Sequence, residues 1–193
     1  MSKSIGNSAY FLLYKPYGYL SQFSGEETDL LLKDLYDFPK DVYSVGRLDK
    51  DSEGLLLLTN DNKFKTQVLD PKSKYAKTYW VQVEGDITLE ALELLENGSI
   101  VISHKGTKHT VSKAKCQIID APELPERTPP IRFRQSIPTS WIALTITEGK
   151  NRQVRKMTAA AGFPTLRLVR CSVGPFSLDN LNPGEVIPFE PFN

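Results

Sequence analysis

The chain of 193 residues is 40% hydrophobic and 24% charged, the balance of a globular protein that buries one core. Its longest apolar run near the N-terminus spans six residues, 9–14, too short for a secretion signal or a membrane span. A net charge of +1 excludes a strongly basic or acidic protein, and two cysteines without a shared motif indicate free thiols, so we expect a cytoplasmic protein.

We expect a single domain over residues 1–193, beginning with a flexible tail at residues 1–9. Residues 10–14, YFLLY, predict a first strand, and the turn KPYG at residues 15–18 follows it. Thr28 then predicts the cap of a short helix. This helix would bury Leu31, Leu32 and Leu35.

The stretch Val45–Asp61, VGRLDKDSEGLLLLTND, crowds charged side chains against an apolar run. Four consecutive leucines predict a strand that is buried on both faces, and Gly46 and Gly54 permit a tight backbone path beside it. Charges next to a buried strand cost desolvation energy unless something uses or pairs them. The stretch is therefore a candidate site with four ionisable side chains, Arg47, Asp49, Asp51 and Glu53.

Further elements follow this stretch. Asn60 or Asp61 is predicted to cap a helix whose inward-facing side chains are Phe64, Val68 and Leu69. Thr88 predicts the start of a second helix, which Gly98 ends. Alternating patterns predict strands at residues 78–83, 99–102 and 110–119.

Residues 121–140 contain five prolines, which excludes a helix or a central strand. A loop of this length inside a compact domain is usually functional or disordered. We leave open an ordered arm against an anion and a flexible insertion. Its basic side chains are Arg127, Arg132 and Arg134.

A strand from Trp141 and a turn at residues 148–150 lead into NRQVRKMTAAAG, which predicts an amphipathic helix. Its apolar stripe is Val154, Met157 and Ala161, and its basic face is Arg152, Arg155 and Lys156. Positive charge at a helix N-terminus opposes the helix dipole, which favours a bound anion there. Between Arg127 and Arg170, nine basic residues face one acid, which indicates a polyanion partner or, alternatively, a solvated surface.

Carboxylates are the credible catalytic groups of this sequence. His104 and His109 match no zinc spacing and indicate the surface of a hairpin, and we expect no metal. Residues 49–54 resemble half of a calcium loop, but Asn60 stands at its twelfth position, so calcium binding is not expected. Asp49 is the best nucleophile or base, because nearby Arg47 favours the ionised carboxylate.

Residues 46–61, GRLDKDSEGLLLLTND, resemble the signature of the RsuA-type pseudouridine synthases, whose catalytic aspartate corresponds to Asp49. Other family motifs are matched in order across residues 10–190. They are the KPYG turn, the strand motif at residues 77–79, the basic helix motif at residues 148–157 and the segment 166–185.

The resemblance implies an α+β pseudouridine synthase fold with a mixed, largely antiparallel sheet, flanking helices and a central cleft. It implies a catalytic domain that isomerises uridine to pseudouridine in RNA without a cofactor. Residues 129–141 resemble members that act on 23S rRNA, so the implied partner is that RNA, free or in an assembling subunit. We expect a monomer without an N-terminal S4 RNA-binding domain, because nine residues precede the first strand.

The resemblance also implies individual roles. Asp49 would attack or deprotonate the ribose of a flipped nucleotide, and Tyr79 would stack on the uracil and assist the loss of the C5 proton. Lys150 would pair with Asp49, with Arg152 as a close rival, and Arg47 would fill the space left by the base. The remaining expected RNA contacts are Lys15, Arg132, Arg134, Arg152, Arg155 and Lys156. A catalytically silent RNA-binding or ribosome-assembly factor is the alternative.

Overall fold

A computed structural model of the chain describes residues 8–70, 72–73, 75–131, 134, 136–179 and 181–191. Most of the predicted flexible tail and Arg132 lie outside these residues. The helices are α1 (Asn62–Leu69), α2 (Leu89–Glu96), α3 (Gln153–Ala160) and a 3-10 turn at Leu32–Asp34. The strands are β1 (Tyr10–Lys15), β2 (Tyr43–Ser44), β3 (Glu53–Thr59), β4 (Lys77–Glu84), β5 (Val101–His104), β6 (Thr107–Thr110), β7 (Lys115–Ile119), β8 (Thr139–Ile146), β9 (Thr165–Val173), β10 (Phe176–Ser177) and β11 (Val186–Pro188).

Most strands form one mixed sheet in the order β11-β1-β3-β9-β4-β8-β7, with β2 beside β3 and β10 beside β9. Neighbouring strands are antiparallel except β3 and β9. β5 and β6 form a separate hairpin. The α+β class and the largely antiparallel sheet predicted from the sequence are thereby confirmed. No described helix is long and apolar enough to cross a membrane.

The leucine strand lies at the centre of this sheet. All seven residues of β3 are buried, and its leucines alternate between two cores, one on each face of the sheet. Leu56 and Leu58 join the core beneath α2 and α3, whereas Leu55 and Leu57 join the core beneath α1. The prediction of a strand buried on both faces is confirmed.

β3 and β9 pair over only two positions, Glu53 with Val169 and Gly54 with Arg170. Gly54 has a φ of 109°, and a Cβ placed on it would lie 2.6 Å from the backbone nitrogen of Arg170. Only glycine fits such an approach. The junction joins two half-sheets, β11-β1-β3 and β9-β4-β8-β7.

The caps predicted for α1 and α2 are observed in the structure. The Asp61 carboxylate accepts hydrogen bonds from two backbone N–H groups of α1, and the Thr88 hydroxyl accepts one from α2. Phe64 and Val68 are buried as predicted, but Leu69 is 41% exposed because α1 ends there. The stripe of α3 also lies inward.

Two predicted elements are wrong. Thr28 caps no helix. The backbone N–H of Leu20 donates to the carbonyl of Leu30, and the N–H of Leu32 donates to the carbonyl of Gln22, which leaves only the short 3-10 turn. The strand predicted at residues 110–119 is two strands, β6 and β7, separated where the backbone N–H of Ala114 bonds to Glu96.

The described part of the proline-rich segment is irregular but anchored at several points. The guanidinium of Arg127 lies over the ring of Tyr17 at 4.1 Å, and Arg167 donates to the carbonyl of Pro125 at 3.0 Å. Gly85 donates to the carbonyl of Pro138 at 2.8 Å. These contacts fix the described part of the segment at three points, and the ordered arm against an anion stays a prediction.

Candidate active site

A cleft of about 930 Å³ opens at the junction of the two half-sheets. It is lined by the loop before β3, the end of α1, strands β4 and β9, and the turn that leads into α3. Five predicted site residues meet there, Arg47, Asp49, Tyr79, Lys150 and Arg152. The basic lining residues are Arg47, Lys50, Lys77, Lys150, Arg152 and Arg170, and the acidic ones are Asp49, Asp70 and Glu148. Such a lining concentrates positive potential, which suits a polyanion.

The loop that carries Asp49 is held on both sides of that residue. The buried hydroxyl of Ser21 accepts a hydrogen bond from the N–H of Leu48 at 2.9 Å and donates one to its carbonyl at 2.8 Å. On the other side, the N–H of Gly18 donates to the carbonyl of Lys50 at 2.8 Å. The KPYG turn therefore helps to fix the position of the carboxylate.

Arg152 is the cation that approaches Asp49 in the described structure, with Nη1 3.9 Å from Oδ2. Lys150 lines the same cleft but forms no ion pair with a described carboxylate, so the geometry favours the expected rival. Arg152 has a φ of 52°, an uncommon left-handed conformation for a residue other than glycine, and it immediately precedes α3. Strained backbone of this kind clusters at functional sites.

Asp51 takes the strongest contacts of the loop. Arg152 donates two hydrogen bonds to its carboxylate, each of 2.8 Å, and Arg155 Nε lies 3.4 Å from it. Arg155 also donates to the carbonyl of Asp51 at 2.6 Å. Burial disfavours the charged carboxylate, but the bonds from Arg152 and the charges of both arginines outweigh burial and hold the pKa of Asp51 below its ordinary value.

Glu148 organises the turn before α3. Its carboxylate accepts hydrogen bonds from the N–H of Ser112 at 2.7 Å and from Nε2 of Gln153 at 2.8 Å, and it lies 2.9 Å from Nε2 of His109. Burial opposes ionisation, but these three partners together hold the pKa of Glu148 below its ordinary value. The one acid of the basic half therefore fixes the geometry of the cleft wall.

The other expected RNA contacts have partners within the protein. Lys15 is fully buried, and its ammonium donates to the carbonyls of Pro16 and Tyr19, both at 2.8 Å. Burial lowers the pKa of Lys15 to about 7, although nearby carboxylates, Glu53 foremost, oppose the shift. We expected Lys15 at the RNA surface; the structure places it beneath the KPYG turn, because its ammonium satisfies buried carbonyls.

The remaining predicted basic residues in the described part of the chain contact groups other than Asp49. Arg134 pairs with Glu84 at 3.2 Å, and Lys156 donates to the carbonyl of Ser103 at 2.7 Å. Arg47 is exposed at the mouth of the cleft and donates to Oε1 of Gln22 at 2.9 Å. Arg132 lies outside the described residues.

Tyr79 lies in β4 and is 8% exposed, with its side chain against both the main core and the cleft. Its strand neighbour in β9 is Arg170, whose Nε donates to the carbonyl of Leu55 at 2.8 Å across the junction. The predicted aromatic platform is therefore placed on a rigid central strand.

Several site residues were missed from the sequence. Ser21 and Gln22 belong to a segment without a pattern, and nothing in the sequence connects them to Asp49. Arg170 lies in a segment that predicts a buried strand. Its charge within this apolar run is the one sign in the sequence that its side chain has a specific partner.

Residues 9–160 match the protein family described as RNA pseudouridylate synthase. The chain is 50% identical over 179 residues to ribosomal large subunit pseudouridine synthase E of Vibrio parahaemolyticus, covering 93% of this chain and 73% of the relative. It is 48% identical over 176 residues to the protein of that name from Xanthomonas campestris pv. campestris, covering 90% and 91%.

The fold was also compared with solved structures. A structure described as a crystal structure of pseudouridylate synthase superposes with a TM-score of 0.77 at 29% identity, covering 97% of this chain and 73% of the other. A protein in an H/ACA RNP bound to a substrate RNA superposes with a TM-score of 0.55 at 15% identity, covering 90% and 50%, a likeness of fold alone.

Proposed function

The chain belongs to the RNA pseudouridylate synthase family, and we propose that it isomerises a uridine of large-subunit ribosomal RNA to pseudouridine, with Asp49 as the catalytic carboxylate. Relatives that are 48–50% identical carry a name specifying the ribosomal large subunit, which supports this substrate class. We also propose a monomeric catalyst with a single domain, in which the catalytic groups proposed below line one cleft. We place its action on ribosomal RNA in the cytoplasm.

One observation carries the proposal, the placement of Asp49. Its carboxylate is about one-third exposed in a cleft with a basic lining, on a loop held from both sides, with Arg152 3.9 Å away. A carboxylate that faces a polyanion weakens binding, so its presence favours chemistry over a silent RNA-binding factor.

The proposed reaction breaks the C1′–N1 bond of uridine and forms a C1′–C5 bond, while C5 loses a proton and N1 gains one. Asp49 starts it by attack at C1′ or by removal of a ribose proton. Tyr79 stacks on the uracil and takes part in the loss of the C5 proton, and Arg152 supplies positive charge 3.9 Å from the Asp49 carboxylate. Arg47 supports the flipped nucleotide, whose extrusion costs about a few kcal/mol.

The test is Asp49→Asn, which preserves size and removes the charge. Pseudouridine formation in large-subunit rRNA transcripts should fall by roughly 10⁴-fold, the scale of loss when a catalytic carboxylate is neutralised. Thermal unfolding and RNA affinity, measured in parallel, should stay near the wild-type values. A purified Asp49→Asn protein that still converts uridine would overturn the assignment, and a wild-type protein that binds rRNA without modifying it would favour the silent factor.

A further inference from the structure

The β5–β6 hairpin carries cations that the proposed chemistry does not use. It turns through Lys105 and Gly106, whose φ values of 50° and 77° belong to a two-residue turn with both residues left-handed. Lys105 and Lys108 are exposed, and neither pairs with a carboxylate among the described residues. Lys105 holds an uncommon backbone conformation that places its charge at the hairpin tip.

The hairpin is fixed to the wall of the cleft. Glu148, which lines the cleft, is hydrogen-bonded to His109 of β6 and to the N–H of Ser112 just beyond it. From α3, Lys156 donates to the carbonyl of Ser103 in β5 at 2.7 Å. Ser103 pairs in register with Lys108. Lys108 shares its face of the hairpin with Ser103 and points away from His104 and His109. The hairpin therefore adjoins the cleft through these histidines and through Lys156.

Positive charge on this surface converges on His104. Its ring lies 6.4 Å from that of His109, and its Nδ1 is buried without a hydrogen-bond partner among the described residues. Burial, followed by the charges of Lys150, Lys105, His109 and Lys156, lowers the pKa of His104. The carboxylate packed here, Glu148, is already engaged by three donors.

We propose that His104, Lys105, Lys150 and Lys156, the hairpin cluster, bind a phosphodiester group of the RNA strand that leads away from the target uridine. Lysine ammonium groups without carboxylate partners bind phosphate as point charges and position RNA without reading its sequence. The cluster continues the basic lining of the cleft, so one strand can contact both. That RNA is the polyanion rests on the proposed function.

The first test compares two double variants with the same loss of charge. Lys105→Asn/Lys156→Gln removes two cluster charges, and asparagine is chosen because it tolerates left-handed backbone. Lys33→Gln/Lys40→Gln removes two exposed charges elsewhere and serves as the control. With large-subunit rRNA transcripts, we expect the first variant to bind about 10-fold more weakly and its salt slope to fall by roughly 1 to 2, with the control unchanged. Equal slopes for wild type and both variants would overturn the proposal.

The second test uses the two histidines of the chain as reporters. A bound phosphate adds negative charge, so binding should raise the pKa of His104 in NMR titrations of Asp49→Asn with RNA, and affinity should rise as pH falls through that value. His109→Gln assigns the signals. An unmoved His104 pKa, as expected if the cluster served a protein partner, would overturn the proposal. RNA binding with both effects but without isomerisation would instead overturn the proposed function alone.

Discussion

Asp49 and Asp51 carry the same group two residues apart in one loop, yet the structure gives them different partners. Asp51 receives both hydrogen bonds from Arg152 and the approach of Arg155, whereas Asp49 has Arg152 at 3.9 Å. Bidentate arginine contacts are strong and directional. Because Asp51 takes those contacts, it fixes the guanidinium beside Asp49. The Asp49 carboxylate accepts no hydrogen bond from the described residues, as its proposed reaction with the ribose requires.

We therefore expect Asp51→Asn to lower kcat by roughly 10-fold to 100-fold, because a displacement of about 1 Å in a reacting group costs that much. KM for RNA should change less, since the cleft keeps its other cations. Asp51→Glu should restore part of the rate by returning a carboxylate to Arg152. Steady-state kinetics on an rRNA fragment checks this, and a wild-type kcat in Asp51→Asn would show that Arg152 needs no such support.

The same carboxylate predicts a pH dependence of stability. Because the pKa of Asp51 lies below its ordinary value of 3.8, its ion pair stabilises the fold above that pH and is lost as pH falls through the lowered pKa. Urea unfolding should therefore separate wild type from Asp51→Asn by a constant free energy between about pH 5 and pH 8, with the gap closing below about pH 4. A free-energy difference between the two proteins that grows as pH falls would contradict the predicted direction of this pH dependence.

At the scale of elements, the junction of β3 and β9 depends on Gly54. Gly54→Ala adds a methyl group 2.6 Å from the backbone nitrogen of Arg170 and imposes a φ of 109° on alanine. We expect a loss of at least about 2 kcal/mol in the free energy of unfolding, because strained backbone alone costs roughly 1–3 kcal/mol. Chemical denaturation measures it.

Gly162→Ala is the matched control. Gly162 has a φ of 89°, and nothing lies within 4 Å of a Cβ placed there, so its substitution reports the conformational cost without a clash. Gly54→Ala should cost clearly more than this control. Equal losses of unfolding free energy in the two variants would mean that β3 and β9 can move apart at Gly54 without destabilising the fold.

The elements predicted correctly are those whose signals are local. Four leucines, a capping aspartate and the stripe of α3 predict β3, α1 and α3 because each signal lies within its own segment of sequence. The helix predicted at Thr28 was wrong because backbone hydrogen bonds between residues 20–22 and residues 30–32 outweigh its cap. The site shows the same limit of prediction from sequence. The contact of Ser21 with Leu48 joins residues 27 positions apart, so it leaves no local pattern in the sequence.

At the scale of the whole molecule, the cleft requires two half-sheets that meet at one narrow junction. Two backbone pairs join β3 to β9, and side chains supply the rest of the connection. Glu53 and Arg167 form two hydrogen bonds of 2.7 and 2.9 Å across it, and both side chains are buried. Arg167 also holds Pro125, so the same residue anchors the proline-rich segment.

This buried pair yields a prediction for a double-mutant cycle. Glu53→Gln should cost about 3–5 kcal/mol, because it leaves Arg167 buried without a counter-charge. Arg167→Met should cost less, since Glu53 then still lies near Lys15 and its charge opposes the lowering of the Lys15 pKa by burial. The double variant should be more stable than the sum of the single losses predicts, because no uncompensated charge of the pair remains.

Urea unfolding of the four proteins measures this coupling, and pseudouridine formation by the folded fraction tests whether the cleft survives. Additive losses would show that the two side chains do not depend on each other. In that case the backbone pairing at Gly54 and the bond from Arg170 to Leu55 would have to hold the half-sheets together without the ion pair. Strong coupling with retained chemistry would instead place the pair in the frame of the cleft, apart from its reaction.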